Sequence, residues 1–179
     1  SLSQFAAAMD RTLIRGRFVN PTDAIRPPPL NAIPREIVAA TDYECFARER
    51  LDDNAWTFLN AGAADEITLR DNRDAFDRLR IKSRVLRDVR GGHTRLELFG
   101  HVLEHPILLA PVGYQKLFHP DGEIASALAA QVMQTPFVVS TLASSKLEDI
   151  AAASGPLWFQ LYIQRQREHT LTLVRRAEV

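Results

Sequence analysis

Three short apolar runs, each followed by a stretch of helical periodicity, constrain this chain more than anything else in it. They are Ile107-Leu108-Leu109-Ala110, Phe137-Val138-Val139-Ser140 and Leu157-Trp158-Phe159-Gln160-Leu161-Tyr162. Each is too short for a buried helix and reads as a strand covered on both faces. Residues 122–133, 147–153 and the stretch after Arg167 carry the helical pattern. Strand–helix units repeated in this way imply an α/β fold with a parallel sheet and right-handed crossovers. The sheet is either open or closed into a barrel.

Polar residues favour the barrel. Ser140 and Thr141 end the second run, and Gln160 and Tyr162 stand two apart at the end of the third, so they point the same way. Polar groups on the inner face at the carboxyl ends of strands are where (β/α)8 TIM barrels keep their active sites. No Gly-x-Gly-x-x-Gly follows any of the runs, which removes the best support for a dinucleotide-binding open sheet.

Upstream the rhythm differs. Residues 1–40 read as an extended arm, with Pro27, Pro28 and Pro29 as a stiff spacer bracketed by Pro21 and Pro34. A surface-lying arm is the plain reading and an oligomer contact the sharper one. A single domain begins at residue 41 and continues to 179. Thr41-Asp42-Tyr43-Glu44 has the form of a capping box that starts a helix running to about residue 51. Further helices are expected over 55–61 and 65–79. Residues 81–89 and 95–102 are expected as short strands joined by a glycine turn at Gly91-Gly92.

Charge excludes some functions. Twenty-two Lys and Arg balance 22 Asp and Glu, so no basic footprint for nucleic acid or a membrane surface is present. No stretch is apolar for long enough to span a bilayer. Cys45 is the only cysteine, which rules out an internal disulfide and a multi-cysteine metal cluster and suits the cytoplasm. His101 and His105 are four apart but in a strand next to Pro106, so helical zinc spacing does not apply, and no metal site is expected. His119 reads as structural, and His93 and His169 as solvated. The acid pairs Asp65-Glu66 and Glu148-Asp149 stand at helix starts, where the helix dipole favours them. The first residue is Ser1, and residues 170–179 read as a helix with no stop signal, so Val179 is expected to be a break in a longer chain.

Four patterns, in order, carry a resemblance. Asn60-Ala61-Gly62-Ala63-Ala64-Asp65-Glu66 precedes Asn72-Arg73-Asp74-Ala75-Phe76. Leu109-Ala110-Pro111-Val112-Gly113 leads into His119-Pro120-Asp121-Gly122-Glu123. Ser140-Thr141-Leu142-Ala143-Ser144-Ser145 is followed by Leu147-Glu148-Asp149-Ile150, and Trp158-Phe159-Gln160-Leu161-Tyr162 comes last. Together they resemble the flavin-mononucleotide-dependent 2-hydroxy-acid oxidase and dehydrogenase family, from about residue 43 to 179. A barrel takes about 250 residues, so this chain would supply the N-terminal helices, a short hairpin and the first three strand–helix units.

The resemblance assigns roles by position. It implies FMN as cofactor, with Pro111, Val112 and Gly113 packing backbone against the isoalloxazine and with Ser140, Thr141 and Gln160 at its polar edge. It implies that the Tyr162 hydroxyl faces a small-molecule substrate and is the catalytic group in this part of the chain. Substrate would also meet Phe58, Gly113 and Leu142. Each of these residues has a plain structural reading too, as a turn, a loop cap or a polar layer in a barrel. A histidine and an arginine after the sixth strand and a lysine after the fifth are implied beyond Val179. The electron acceptor is left open among oxygen, a quinone and a protein, and a homo-oligomer, a tetramer, is expected.

Two departures from the family pattern bear on substrate. Phe58 stands where a tyrosine usually grips the substrate carboxylate, which keeps the ring and removes one hydrogen bond, worth about 0.5–1.5 kcal/mol. Gly113 stands where alanine is frequent, and Leu142 where glycolate oxidase has a large aromatic. Both point to a bulky or aryl substrate. Phe58 also leaves open a related FMN barrel of different chemistry, a biosynthetic oxidase or an isomerase. A non-catalytic flavin-barrel binding module is the remaining alternative.

Overall fold

The computed structural model describes residues 27, 28, 30 and 32–178, so residues 1–26 and Pro29 of the expected arm lie outside it. The chain divides into two compact units, one ending at Ala61 and one running from Gly62. No helix among the described residues is long and apolar enough to cross a membrane.

The first unit holds helices α1 (Tyr43–Arg50) and α2 (Asp53–Asn60). The cap of α1 differs from the expected box. Thr41 lies inside a 3-10 turn, Ala40–Asp42, and it is the Asp42 carboxylate that turns back to accept the Val38 and Ala39 amides at 2.9 and 2.8 Å. Those two amides hold the Asp42 pKa below its ordinary value. Asp52 caps α2 by accepting the Ala55 amide at 2.8 Å. Arg48 joins the helices, pairing with Asp53 at 2.6 Å and lying over the Trp56 ring.

The second unit opens with a turn that closes on itself. The Gly62 amide donates to Glu66 Oε1 at 3.0 Å, and a Cβ at Gly62 would stand 3.0 Å from that of Leu69. A side chain at position 62 would therefore press on Leu69 and Glu66 at the start of helix α3 (Ile67–Arg78). The hairpin is not where the sequence pattern put it. Residues 81–89 form no strand, and their apolar side chains are open to solvent, Ile81 by 96% and Leu86 fully. Instead β1 (Leu96–Leu98) pairs antiparallel with β2 (His101–Leu103) around Phe99-Gly100. Both turn residues have positive φ, 49° and 78°, as a two-residue hairpin with the right twist demands. Gly91-Gly92 lacks flanking residues that could pair across it. Phe99 packs edge-on against Trp158, their centroids 5.3 Å apart.

The parallel layer follows. Helix α4 (Gly122–Val132), strand β3 (Phe137–Ser140), helix α5 (Leu147–Ala153), strand β4 (Leu157–Gln160) and helix α6 (Arg167–Ala177) alternate as expected. β3 pairs with β4 in parallel, Phe137 opposite Leu157 and Ser140 opposite Gln160. The run 107–110 lies on the other side of β3 but makes a single bridge, Leu109 to Phe137. Its backbone bonds are the Leu109 amide to Pro136 O and the Val138 amide to Leu109 O, both 3.0 Å. The next bonds of the ladder would need amide hydrogens from Pro111 at one end and from Pro136, facing Ile107 O, at the other, and neither has one. β4 likewise ends at Gln160, two residues earlier than expected.

The core lies on one face of this layer. Phe137 and Val139 of β3 pack with Ala127 and Ala130 of α4 and Ile150 of α5, joined by Leu157 and Phe159 of β4. Side chains alternate along a strand, so Ser140 and Gln160 belong to the opposite face. Arg176 of α6 grips Glu148 of α5 with two bonds of 2.8 and 2.9 Å. That grip, chiefly its hydrogen bonds, holds the exposed Glu148 carboxyl down to about 2.

Ile150 is fully buried at the meeting point of both helices and β3. Ile150→Ala in the full-length protein is expected to destabilise it by about 2–5 kcal/mol and Ile150→Val by about 0.5–1.5 kcal/mol, read from urea midpoints. Equal midpoints for all three proteins would place the core elsewhere.

Candidate active site

The carboxyl ends of β3 and β4 bring together most of the residues singled out from sequence. The Ser140 hydroxyl, 7% exposed, donates to Gln160 Oε1 across 3.3 Å and accepts the Leu142 amide at 3.1 Å. Gln160 Nε2 has no hydrogen-bonded protein partner among the described residues. One end of that amide is thus fixed, and the other is a donor left for a ligand.

Thr141 carries the pairing one residue past the strands. Its amide and its hydroxyl both donate to Gln160 O, and its hydroxyl oxygen accepts the Tyr162 amide at 2.9 Å. The side chain is a splint that fixes where the backbone of Tyr162 leaves the sheet. The Tyr162 ring itself is 54% exposed. Its carbonyl accepts Gln164 Nε2 at 2.8 Å.

The segment Pro111-Val112-Gly113 runs beside the loop after β3. The Tyr114 amide donates to Leu142 O at 2.9 Å. A Cβ on Gly113 would stand 3.0 Å from the Cβ of Leu142. The place of the methyl absent at Gly113 is therefore not an empty space, because Leu142 stands against it. The expectation of added room at Gly113 alone gives way to a joint one, with the two residues setting the space between them. Phe58 lies on α2 in the first unit, half exposed.

Sequence reasoning passed over Glu123. Its carboxylate is 1% exposed, beneath the two loops. Oε1 accepts the Gln115 amide at 3.2 Å, the Ser144 amide at 2.8 Å and the Ser144 hydroxyl at 2.9 Å, while Oε2 accepts the Ser145 hydroxyl at 2.9 Å. The Ser144 hydroxyl oxygen accepts the Lys116 amide at 3.0 Å. Burial pushes the Glu123 carboxyl up, but the hydrogen bonds from backbone amides and from the Ser144 and Ser145 hydroxyls outweigh it and hold the group below its ordinary value. The available signal was an acid at the first turn of an apolar helix together with a Ser-Ser pair in the next loop.

Two of the histidines have structural partners. His119 Nδ1 accepts the Asp121 amide at 3.2 Å within its turn, and His105 Nε2 meets Met133 O at 3.2 Å. Among the described residues no three His, Cys, Asp or Glu side chains converge to hold a metal. A cavity of about 390 Å³ lies between Leu109, Val112 and Gln115 and the start of α4, and none of Ser140, Gln160 or Tyr162 lines it. The face bearing Ser140 and Gln160 suits a flat heteroaromatic with a polar edge. It offers an uncommitted amide donor and backbone held on both sides.

Comparison with known proteins agrees with this geometry. The family model for FMN-dependent dehydrogenases matches residues 47–179. An L-lactate oxidase of Alicycliphilus denitrificans is 52% identical over 84% of this chain and 41% of its own length. A 4-hydroxymandelate oxidase of Amycolatopsis orientalis is 43% identical over 79% of this chain and 40% of its own. A mandelate oxidase mutant solved with a C4a-OH-FMN adduct superposes with a TM-score of 0.72 at 43% identity, covering 76% of this chain and 42% of that one. The chain spans about two fifths of the length of the curated relatives it matches. With a family match over most of the sequence and relatives above 40% identity, this chain belongs to the FMN-dependent dehydrogenase family.

Proposed function

We propose that this chain forms one side of an FMN-binding (β/α)8 barrel that oxidises a 2-hydroxy acid to its 2-oxo acid, with a bulky or aryl substrate favoured. The observation that carries the reading is the Ser140–Gln160 pair at the carboxyl ends of two adjacent parallel strands, on the face away from the helices. That is the face a barrel turns inward. The core packs α4 and α5 against the opposite face, which supports closure over a doubly wound sheet. In this reading the run 107–110 with α4, β3 with α5, and β4 with α6 are the first three strand–helix units. The hairpin precedes them, and residues 1–40 are an arm outside the domain. The lactate and hydroxymandelate oxidases among the relatives support the substrate class, and the second supports the aryl preference. A homo-oligomer in the cytoplasm is part of the same proposal.

Bound FMN would supply the two-electron acceptor. This chain's own residues would do the holding. Gln160 Nε2, fixed through Ser140, would donate to the polar edge of the ring, and the backbone of 111–113 would pack against it. Thr141 aims the chain at Tyr162, whose phenol orients the substrate. Phe58 offers a ring wall and no hydrogen bond. That feature also favours a second reading, an FMN barrel acting on a tailored substrate as a biosynthetic oxidase or isomerase.

The full-length protein is expected to purify yellow and to release the mononucleotide rather than the dinucleotide on denaturation, identified by chromatography of the released flavin. A colourless protein that cannot be reconstituted with FMN overturns the enzymatic reading.

Anaerobic flavin reduction by lactate and by mandelate separates the two readings. Phe58→Tyr is expected to raise kcat/KM for the small acid by up to about a hundredfold, the value of one hydrogen bond to a charged group at roughly 1.5–3 kcal/mol. Tyr162→Phe is expected to lower it. If neither variant shifts either substrate, the tailored-substrate reading displaces oxidation of a simple 2-hydroxy acid.

A further inference from the structure

We propose that Glu123 is a positioning residue for the flavin site, because its one buried carboxylate fixes the loop bearing Gly113 against the loop bearing Thr141. This inference rests on the FMN reading above. The two loops meet directly at several points. These are the Tyr114 amide on Leu142 O, the close approach of Gly113 to Leu142, and the Lys116 amide on the Ser144 hydroxyl. Val112 and Leu142 are both more than a third exposed, so apolar packing between the loops is slight. Glu123 supplies the rest. Oε1 takes one amide from each loop, Gln115 and Ser144, and Oε2 takes the Ser145 hydroxyl.

A fold that needed only filled volume at this point would be served better by an apolar side chain, since a carboxylate taken out of water carries a large desolvation penalty. The carboxylate offers several acceptor sites in one plane, which no apolar residue does. Through these it sets the separation of two loops, each of which carries a proposed flavin contact. Gln115 extends the link, because its Oε1 accepts the Ser126 hydroxyl of α4 at 2.7 Å. The first loop is therefore anchored to the same helix that presents Glu123. Such pre-organisation would appear in cofactor binding more than in global stability.

The test uses the full-length protein stripped of flavin and titrated with FMN, following the quenching of flavin fluorescence, with a thermal melt of each variant alongside. Glu123→Ala is expected to raise the FMN dissociation constant by about tenfold or more. Glu123→Gln keeps an oxygen for the two amides and presents a donor to hydroxyls that can rotate to accept, so it is expected to stay within about threefold of the unsubstituted protein. Ile150→Ala serves as the comparison, a core substitution that lowers the melting temperature without touching either loop. If Glu123→Ala does not fold, the Ser144→Ala, Ser145→Ala double variant removes both hydroxyls from the carboxylate and is expected to weaken FMN in the same direction. An FMN affinity in these variants equal to that of Ile150→Ala overturns the inference and leaves Glu123 a stabilising residue only. Failure of the unsubstituted protein to bind FMN overturns the functional reading itself, and this inference with it.

Discussion

The pairing of β3 with β4 fixes the chemistry of this chain because side chains in a strand alternate with a period of two. Phe137 opposite Leu157 and Ser140 opposite Gln160 is a register that sends Phe137 and Val139 to the helices and leaves Ser140 and Gln160 together on the other face. A slip by one residue would carry every core side chain to the wrong face, so burial of Phe137 and Val139 enforces the register. The hydroxyl–amide pair is thus held by hydrophobic packing on the opposite side of the same strands. Thr141 extends the register past the last ladder residue by using both its amide and its hydroxyl on Gln160 O. Tyr162 leaves the sheet at a point already determined.

A second constraint works across the loops rather than within the sheet. Glu123 is a charge under protein, and its burial is tolerable because amides and hydroxyls surround it. The opposing influences can be read in its acidity, where burial raises the pKa and hydrogen bonding more than offsets it. Each oxygen accepts more than one bond, so losing a single donor weakens the set without leaving an oxygen unpaired, whereas losing both serine hydroxyls strips Oε2 of its donors. The exposed Glu148–Arg176 pair is the contrast. It is held by good bidentate geometry, but water and salt screen it, and it ties helix to helix without bearing on the site.

What was legible in the sequence was local. β3 and α5 have the bounds that their apolar pattern indicates, and α4 and α6 nearly so, because period and flanking residues suffice to specify them. What was not legible depended on partners. Residues 81–89 are apolar enough to suggest a strand, yet they turn at Val85-Leu86, where Leu86 takes a positive φ, and stay exposed. The hairpin formed instead where Phe99 and Gly100 both take positive φ, a demand that the glycine advertises and the phenylalanine conceals. The run 107–110 was recognised, but Pro111 at its end and Pro136 on the facing segment limit it to one bridge. At the first helix Asp42 takes the N-cap place expected of Thr41, but its carboxylate turns back to the Val38 and Ala39 amides and caps no amide of the helix itself. At the site, Ser140 and Gln160 stood out because polar residues ending apolar runs are conspicuous. Glu123 did not, because its partners Ser144 and Ser145 lie more than twenty residues away and only the folded loops bring them together.

Gly113 and Leu142 show why residues near a site are better read in pairs. Taken from sequence, a glycine in place of alanine and a leucine in place of an aromatic look like two independent enlargements of a pocket. In the folded chain they are one packing choice. A Cβ at position 113 would fall 3.0 Å from the Leu142 Cβ, closer than such atoms normally approach. Protein interiors do not hold such gaps open, and a missing methyl is answered by a neighbour moving in. The backbone bond from Tyr114 to Leu142 O then locks that approach. In the proposed site, space for a bulky substrate would therefore depend on how far the Leu142 side chain can turn away. The leucine is more than a third exposed and so has room to do so. An aromatic at the same position would have fewer ways to withdraw, and the glycine opposite would then confer no added room.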